Sequence, residues 1–224
     1  MSGIYIHIPF CKQKCTYCDF YTIVAPSLID KTVDAIVSEI AVRKDYLSDK
    51  HIQTIYFGGG TPSLLNINHF NKIFSAIQGV YDIDPQAEIT MEANPDDLDE
   101  HFLSSIKTLP FNRLSIGIQS FNDAELKFIN RRHTGQQAIE AVKNAQKAGF
   151  TNISIDLIYG LPEQSAEIWE QNIEQALQLN VQHISAYGLT FEEGTVLWRQ
   201  LKKGMVLEAP DEKMNRMYET LRTK

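Results

Sequence analysis

Long basic runs, apolar runs of membrane-spanning length and any cysteine outside one short segment are all missing from this 224-residue chain. Lys and Arg never adjoin in more than pairs (Arg43-Lys44, Arg131-Arg132 and Lys202-Lys203), and the formal net charge is −7. Recognition of nucleic acid through phosphate neutralisation needs the opposite balance, so nucleic acid is not expected as a partner. No signal-peptide pattern or membrane-length apolar stretch is visible, which makes a reducing cytoplasm the expected location. Membrane contact, if any, is then transient. With 43% hydrophobic residues the chain can still bury one substantial core.

The only cysteines, Cys11, Cys15 and Cys18, lie within HIPFCKQKCTYCDF. An odd number in a reducing setting argues against a disulfide framework. The C-x3-C-x2-C spacing offers three thiolates to one centre and leaves a coordination position open. A cubane iron–sulfur cluster normally takes four cysteines, so a fourth iron without a protein ligand could hold a substrate or cofactor. Structural zinc would need a fourth ligand, and His7, four residues earlier within a strand-like run, is the nearest. Spacing alone leaves the cluster, zinc and incidental thiols all open.

Periodicity alternates between strand and helix. Strand patterns fall at 4–9, 52–58, 87–93, 112–119, 152–159 and 183–189. Helical patterns fall at 28–47, 66–79, 97–107, 123–148 (with a break expected near Thr134-Gly135) and 165–179. Six βα units imply a parallel sheet with right-handed crossovers. A closed eight-stranded barrel needs about 250 residues, so the expected architecture is an α/β partial (β/α)6 barrel followed by a C-terminal helical segment. A doubly wound sheet competes with it. Residues 1–193 read as the core, and 194–224 as the start of a linker toward a further C-terminal region.

Alternation along the strands separates a bulky face from a small or polar one. Leu114, Ile116 and Ile118 oppose Ser115, Gly117 and Gln119; Ile153, Ile155 and Leu157 oppose Ser154 and Asp156; Ile89 and Met91 oppose Thr90 and Glu92. Glu92, Gln119 and Asp156 fall near the C-terminal strand ends, where barrel enzymes build their sites. Each carboxylate alone could as well cap a helix or pair with a base. The Gly58-Gly59-Gly60-Thr61-Pro62 turn lacks both the lysine of a phosphate loop and the dinucleotide spacing. Its glycines permit close backbone approach to a ligand, or form only a tight turn.

Taken together, HIPFCKQKCTYCDF, YFGGGTPS, MEANP, RLSIGIQSF and IDLIYGLP resemble the radical S-adenosylmethionine (SAM) superfamily. They are most similar to its branch of oxygen-independent coproporphyrinogen III oxidases and heme chaperones, from Ile4 to about Glu193. The resemblance implies a 4Fe–4S cluster on Cys11, Cys15 and Cys18, with SAM on the open iron. It implies that Gly59, Gly60 and Thr61 meet the methionyl end of SAM. Glu92, Gln119, Arg131 and Asp156 would contact the rest, with Tyr5 and the Tyr17 backbone as further contacts. Arg132 would replace Arg131 under a one-residue slip. In family terms, reduction of the cluster cleaves SAM to methionine and a 5′-deoxyadenosyl radical.

The oxidase pattern carries a further cysteine two positions after the third, where this chain has Phe20. That departure argues against coproporphyrinogen oxidation and for a protein that binds heme and passes it to an acceptor protein. An electron donor such as flavodoxin or ferredoxin is the other implied partner. His7, His51, His69, His101, His133 and His183 could each ligate heme iron in principle, and none can be placed as its ligand. The resemblance also leads one to expect an H-N-x-x-Y-W motif in a C-terminal region, and this sequence does not contain it.

Overall fold

A computed structural model describes Ser2–Lys224. Six strands, β1 (Ser2–Ile8), β2 (His51–Gly59), β3 (Asp82–Ala93), β4 (Arg113–Gln119), β5 (Ile153–Tyr159) and β6 (His183–Gly188), form one sheet in sequential order. Every neighbouring pair is parallel. A doubly wound sheet reverses its strand order at a switch point; this one does not. A single cavity touches residues beyond β1, such as Cys11, and Tyr187 and Gly188 of β6. The sheet therefore curves far enough to bring its two ends toward each other, as a partial barrel requires.

Helices α1 (Ile29–Val42), α2 (Ile67–Gln78), α3 (Glu100–Ile106), α4 (Asp123–Phe128), α5 (Gly135–Lys147), α6 (Ala166–Gln178), α7 (Val196–Lys202) and α8 (Asp211–Thr223) complete the chain. Their starts follow local chemistry. Asn66, Asp99, Asn122, Thr134, Ser165 and Thr195 each accept backbone N–H bonds of the first turn of α2 through α7, satisfying donors that a helix leaves unpaired.

Several boundaries differ from the periodicity reading. The helical pattern over 123–148 is broken near Thr134-Gly135 as expected, with Thr134 capping α5, but α4 already ends at Phe128, where Asn130 follows with a left-handed φ of 61°. Strand β3 starts five residues earlier than its pattern, because Asp82 and Ile83 pair with His51 and Ile52 before the register shifts. Helix α1 stops at Val42, and α7 was not expected at all.

The bulky strand faces form the core. Leu114, Ile116, Ile118, Ile153, Ile155, Leu157 and Met91 are all fully buried. Beneath β2 the rings of Phe57, Phe70, Phe74 and Phe111 meet at centroid distances of 5.1–5.5 Å, mostly edge to face, the arrangement that ring quadrupoles favour. Helix α8 is tied to α6 by the buried Trp169, whose Nε1 donates to the Met217 carbonyl at 2.9 Å. Among the described residues no helix is long and apolar enough to cross a membrane.

Because Phe57 touches all three other rings, Phe57→Ala should cost about 3–5 kcal/mol. Urea unfolding should show a lower midpoint with an unchanged slope; a loss below about 1 kcal/mol would mean that the aromatic cluster does not anchor this side of the sheet.

Candidate active site

The cysteine-bearing segment is a closed loop. Phe10 and Ile23 form a parallel bridge, with Cys11 N–H on the Ile23 carbonyl (3.0 Å) and Ile23 N–H on the Pro9 carbonyl (2.7 Å). Further bonds pin its middle. Lys12 Nζ pairs with the buried Asp97, which also accepts Ser63 Oγ at 2.7 Å. Thr16 N–H reaches the Ile129 carbonyl (3.2 Å), and the Thr16 carbonyl accepts the Leu197 N–H of α7 (2.9 Å).

This loop roofs a cavity of about 390 Å³ at the C-terminal ends of the strands. Cys11, Cys15, Cys18, Tyr17, Gly59, Gly60, Thr61, Glu92, Gln119, Arg131 and Asp156 all line it. Of the expected residues only Tyr5 stands outside the lining. It stacks on Tyr56 (6.0 Å between ring centroids), and its hydroxyl bonds His7 Nδ1 at 3.2 Å. Arg131 turns inward, whereas Arg132 pairs with Asp96 at 3.2 Å in a separate small crevice.

Each side chain has a structural reason for its position. Glu92 accepts Tyr56 OH on Oε1 (2.7 Å) and the Gly59 N–H on Oε2 (3.0 Å), fixing the glycine turn to β3. The glycines serve packing as well as access. A Cβ on Gly60 would lie 2.6 Å from the Phe10 carbonyl oxygen and 2.8 Å from that of Ile8. Gly60 N–H instead donates to the Ile8 carbonyl at 2.8 Å. Gln119 follows a register shift between β4 and β5 and has φ 72°, so simple alternation does not describe how it enters the cavity.

One residue was overlooked in the sequence although it lies in MEANP. Asn94 donates Nδ2 to Thr61 Oγ1 (3.0 Å) and accepts Arg131 Nη2 on Oδ1 (2.6 Å). Thr61 Oγ1 in turn donates to Cys11 Sγ, and Arg131 Nη1 to Cys15 Sγ, both at 3.6 Å. A continuous chain of polar contacts therefore runs from one thiol to another through three strand-end loops. Only its place at a strand end could have flagged Asn94.

Electrostatics sharpen the picture. Burial pushes the Cys11 and Cys18 thiols up, so these groups favour their neutral form until a cation compensates. Burial, then the neighbouring Cys15, pushes the Tyr17 phenol up. Burial works against the charge on Arg131, but Tyr17 and Cys15 outweigh it. Arg131 Nε is buried without a partner. Asp156 is pushed up to about 6 by burial, with hydroxyls of Ser185 and Ser115 pulling down and Glu92 pushing up.

The donor set fits an iron–sulfur cluster with SAM beside it. The three thiols share the cavity with carboxylates, an amide and a guanidinium that suit an amino acid and ribose hydroxyls. Among the described residues no three His, Cys, Asp or Glu side chains converge on a single ion. Thiolates of a cubane bind separate irons and do not need to converge that closely. Several histidines already have partners. His7 bonds Tyr5 and the Tyr21 carbonyl, His51 bonds Asp82 and Asp84, and His69 bonds Asn66 and Asp30. His133 donates to the Ile118 carbonyl, and burial and then Arg131 lower it to about 4.

The sequence profile of the radical SAM superfamily matches residues 5–176. The chain belongs to the radical SAM superfamily. Within it, the chain is 37% identical over 218 residues to the heme chaperone HemW of Lactococcus lactis subsp. lactis (strain IL1403), covering 97% of this chain and 57% of that protein. It is 36% identical over 228 residues to HemW of Bacillus subtilis (strain 168), covering 100% and 60%. Among solved structures it resembles coproporphyrinogen III oxidase (HemN) from Escherichia coli, with a TM-score of 0.88 at 28% identity, covering 99% of this chain and 51% of that one. The chain thus spans little more than half the length of these radical SAM relatives.

The raised Asp156 makes a signed prediction for the ligand-free chain. Protonated Asp156 is tolerated; ionising it in the folded state costs up to about 3 kcal/mol that the unfolded chain does not incur. Its stabilising contribution is complete below about pH 4 and lost as pH rises through about 6. Asp156→Asn should therefore gain stability relative to wild type between pH 4 and 7, read by thermal unfolding across pH. A difference between the two proteins that does not change with pH would contradict this.

Proposed function

We propose that this chain carries a 4Fe–4S cluster on Cys11, Cys15 and Cys18, binds SAM in the adjoining cavity, and works in heme trafficking. The observation that carries the heme reading is 37% identity to a heme chaperone across 97% of the chain. Phe20 agrees with it: it is 63% exposed at the cavity lip, where the oxidase pattern has a further cysteine. The structural likeness to HemN supports the second reading, a radical SAM enzyme acting on a porphyrinogen.

In this reading the glycine turn and Thr61 receive the methionyl end of SAM. Glu92, held by Tyr56 and Gly59, keeps free lone pairs for its ammonium group. Gln119 and Asp156 take ribose hydroxyls, and Arg131 presents its charge. Tyr17 supplies backbone contact. Tyr5 acts one layer back, bracing Tyr56 behind Glu92. The bound cluster would supply one-electron reduction, drawn from an external donor such as flavodoxin or ferredoxin; the chain supplies orientation and a partly dry cavity. Heme would be passed to an acceptor protein.

Two assays on the longest polypeptide that its gene encodes separate the readings. Spectroscopic heme titration should give tight stoichiometric binding, and coproporphyrinogen should remain unchanged under reducing conditions with SAM. Decarboxylated product, or no heme binding, would contradict the heme-trafficking reading.

A further inference from the structure

Helix α4 closes on a left-handed residue that is asparagine. Asn130 N–H bonds the Lys127 carbonyl at 3.1 Å, and Arg131 N–H bonds the Leu126 carbonyl at 2.8 Å, the paired bonds of a Schellman ending. Glycine adopts that conformation without steric cost and is the common choice there. Asparagine in its place calls for a reason in its side chain.

That reason lies in the cysteine loop. Asn130 Nδ2 donates to the Lys14 carbonyl at 2.8 Å, and Oδ1 accepts Gln13 Nε2 at 2.6 Å. The same Gln13 amide reaches the Asn130 carbonyl at 3.1 Å. With Thr16 N–H on the Ile129 carbonyl, these bonds all end on Gln13–Thr16, the stretch that contains Cys15. The next residue, Arg131, points its guanidinium at Cys15 Sγ and at Asn94. A single helix ending therefore sets both the loop around Cys15 and the cation beside it.

We infer that Asn130 is a positioning residue that holds Gln13–Thr16 in its closed shape before a cluster is loaded and so fixes Cys15 against Arg131. The loading of a cluster rests on the function proposed above; the ordering of the loop does not.

Asn130→Gly keeps the left-handed backbone and deletes only the side-chain bonds. Because glycine also relieves the steric cost of the left-handed conformation, the urea midpoint of the metal-free chain should move little. Exchange of the Thr16 amide, which bonds the Ile129 carbonyl, should rise about tenfold or more, the loss of one to two net hydrogen bonds. After anaerobic reconstitution, iron should pass to a chelator at least about fivefold faster than from wild type. Gln13→Ala, which removes the shared bond and the Gln13 bond to the Asn130 carbonyl but keeps the Lys14 bond, should move both rates in the same direction. Wild-type exchange in the loop of Asn130→Gly would overturn the inference. So would a uniform rise across the whole chain or outright failure to fold, because either would make Asn130 a general stabiliser. Exchange is read without metal, so failure of the cluster assignment leaves that readout intact.

Discussion

The polar chain from Cys11 through Thr61, Asn94 and Arg131 to Cys15 is the constraint on which the cavity depends. Thr61 follows β2, Asn94 follows β3 and Arg131 follows α4, so the contacts join three separate βα connections to one loop. They fix the thiols themselves, while the closing bridge, Lys12, Thr16 and the Asn130 contacts hold the backbone of the cysteine segment. Buried polar networks of this kind are costly when half-satisfied and specific when complete. Along this polar chain Arg131 Nε is buried without a partner.

The barrel supplies the geometry and the loop supplies the chemistry. Parallel strands in sequential order put every C-terminal end on one rim, so short connections deliver Glu92, Gln119 and Asp156 to a common space. The helices cover the apolar face, which leaves the small and polar face lining a lumen. Burial raises Asp156 to about 6, while Glu92 is committed to Tyr56 and the glycine turn. Two carboxylates on one floor thus stand in different environments and suit different parts of one ligand.

Much of this was legible in the sequence because its periods are clean. Strand alternation gave the core faces of β4 and β5, and polar N-caps marked helix starts such as Asn66. The three cysteines and the strand-end carboxylates could be located by spacing and by face. What escaped depended on backbone exceptions or on distance. Asn130 in a left-handed conformation ended α4 earlier than the break expected near Thr134-Gly135, and a register shift altered how Gln119 enters the cavity. The packing role of Gly60 requires knowing that Phe10 and Ile8 pass beside it. Asn94 draws its importance from Thr61 and Arg131, which lie 33 and 37 residues away in sequence. No local pattern reports that.

The most direct test of the cluster-and-SAM site is anaerobic reconstitution with iron and sulfide, followed by electron paramagnetic resonance of the reduced protein with and without SAM. The expected result is about four irons per chain and a reduced-cluster signal that shifts when SAM is added. In Cys15→Ala, where two thiolates remain to hold the cubane, both should be lost. A stable zinc-only protein, a full cluster in Cys15→Ala, or a signal indifferent to SAM would contradict the account.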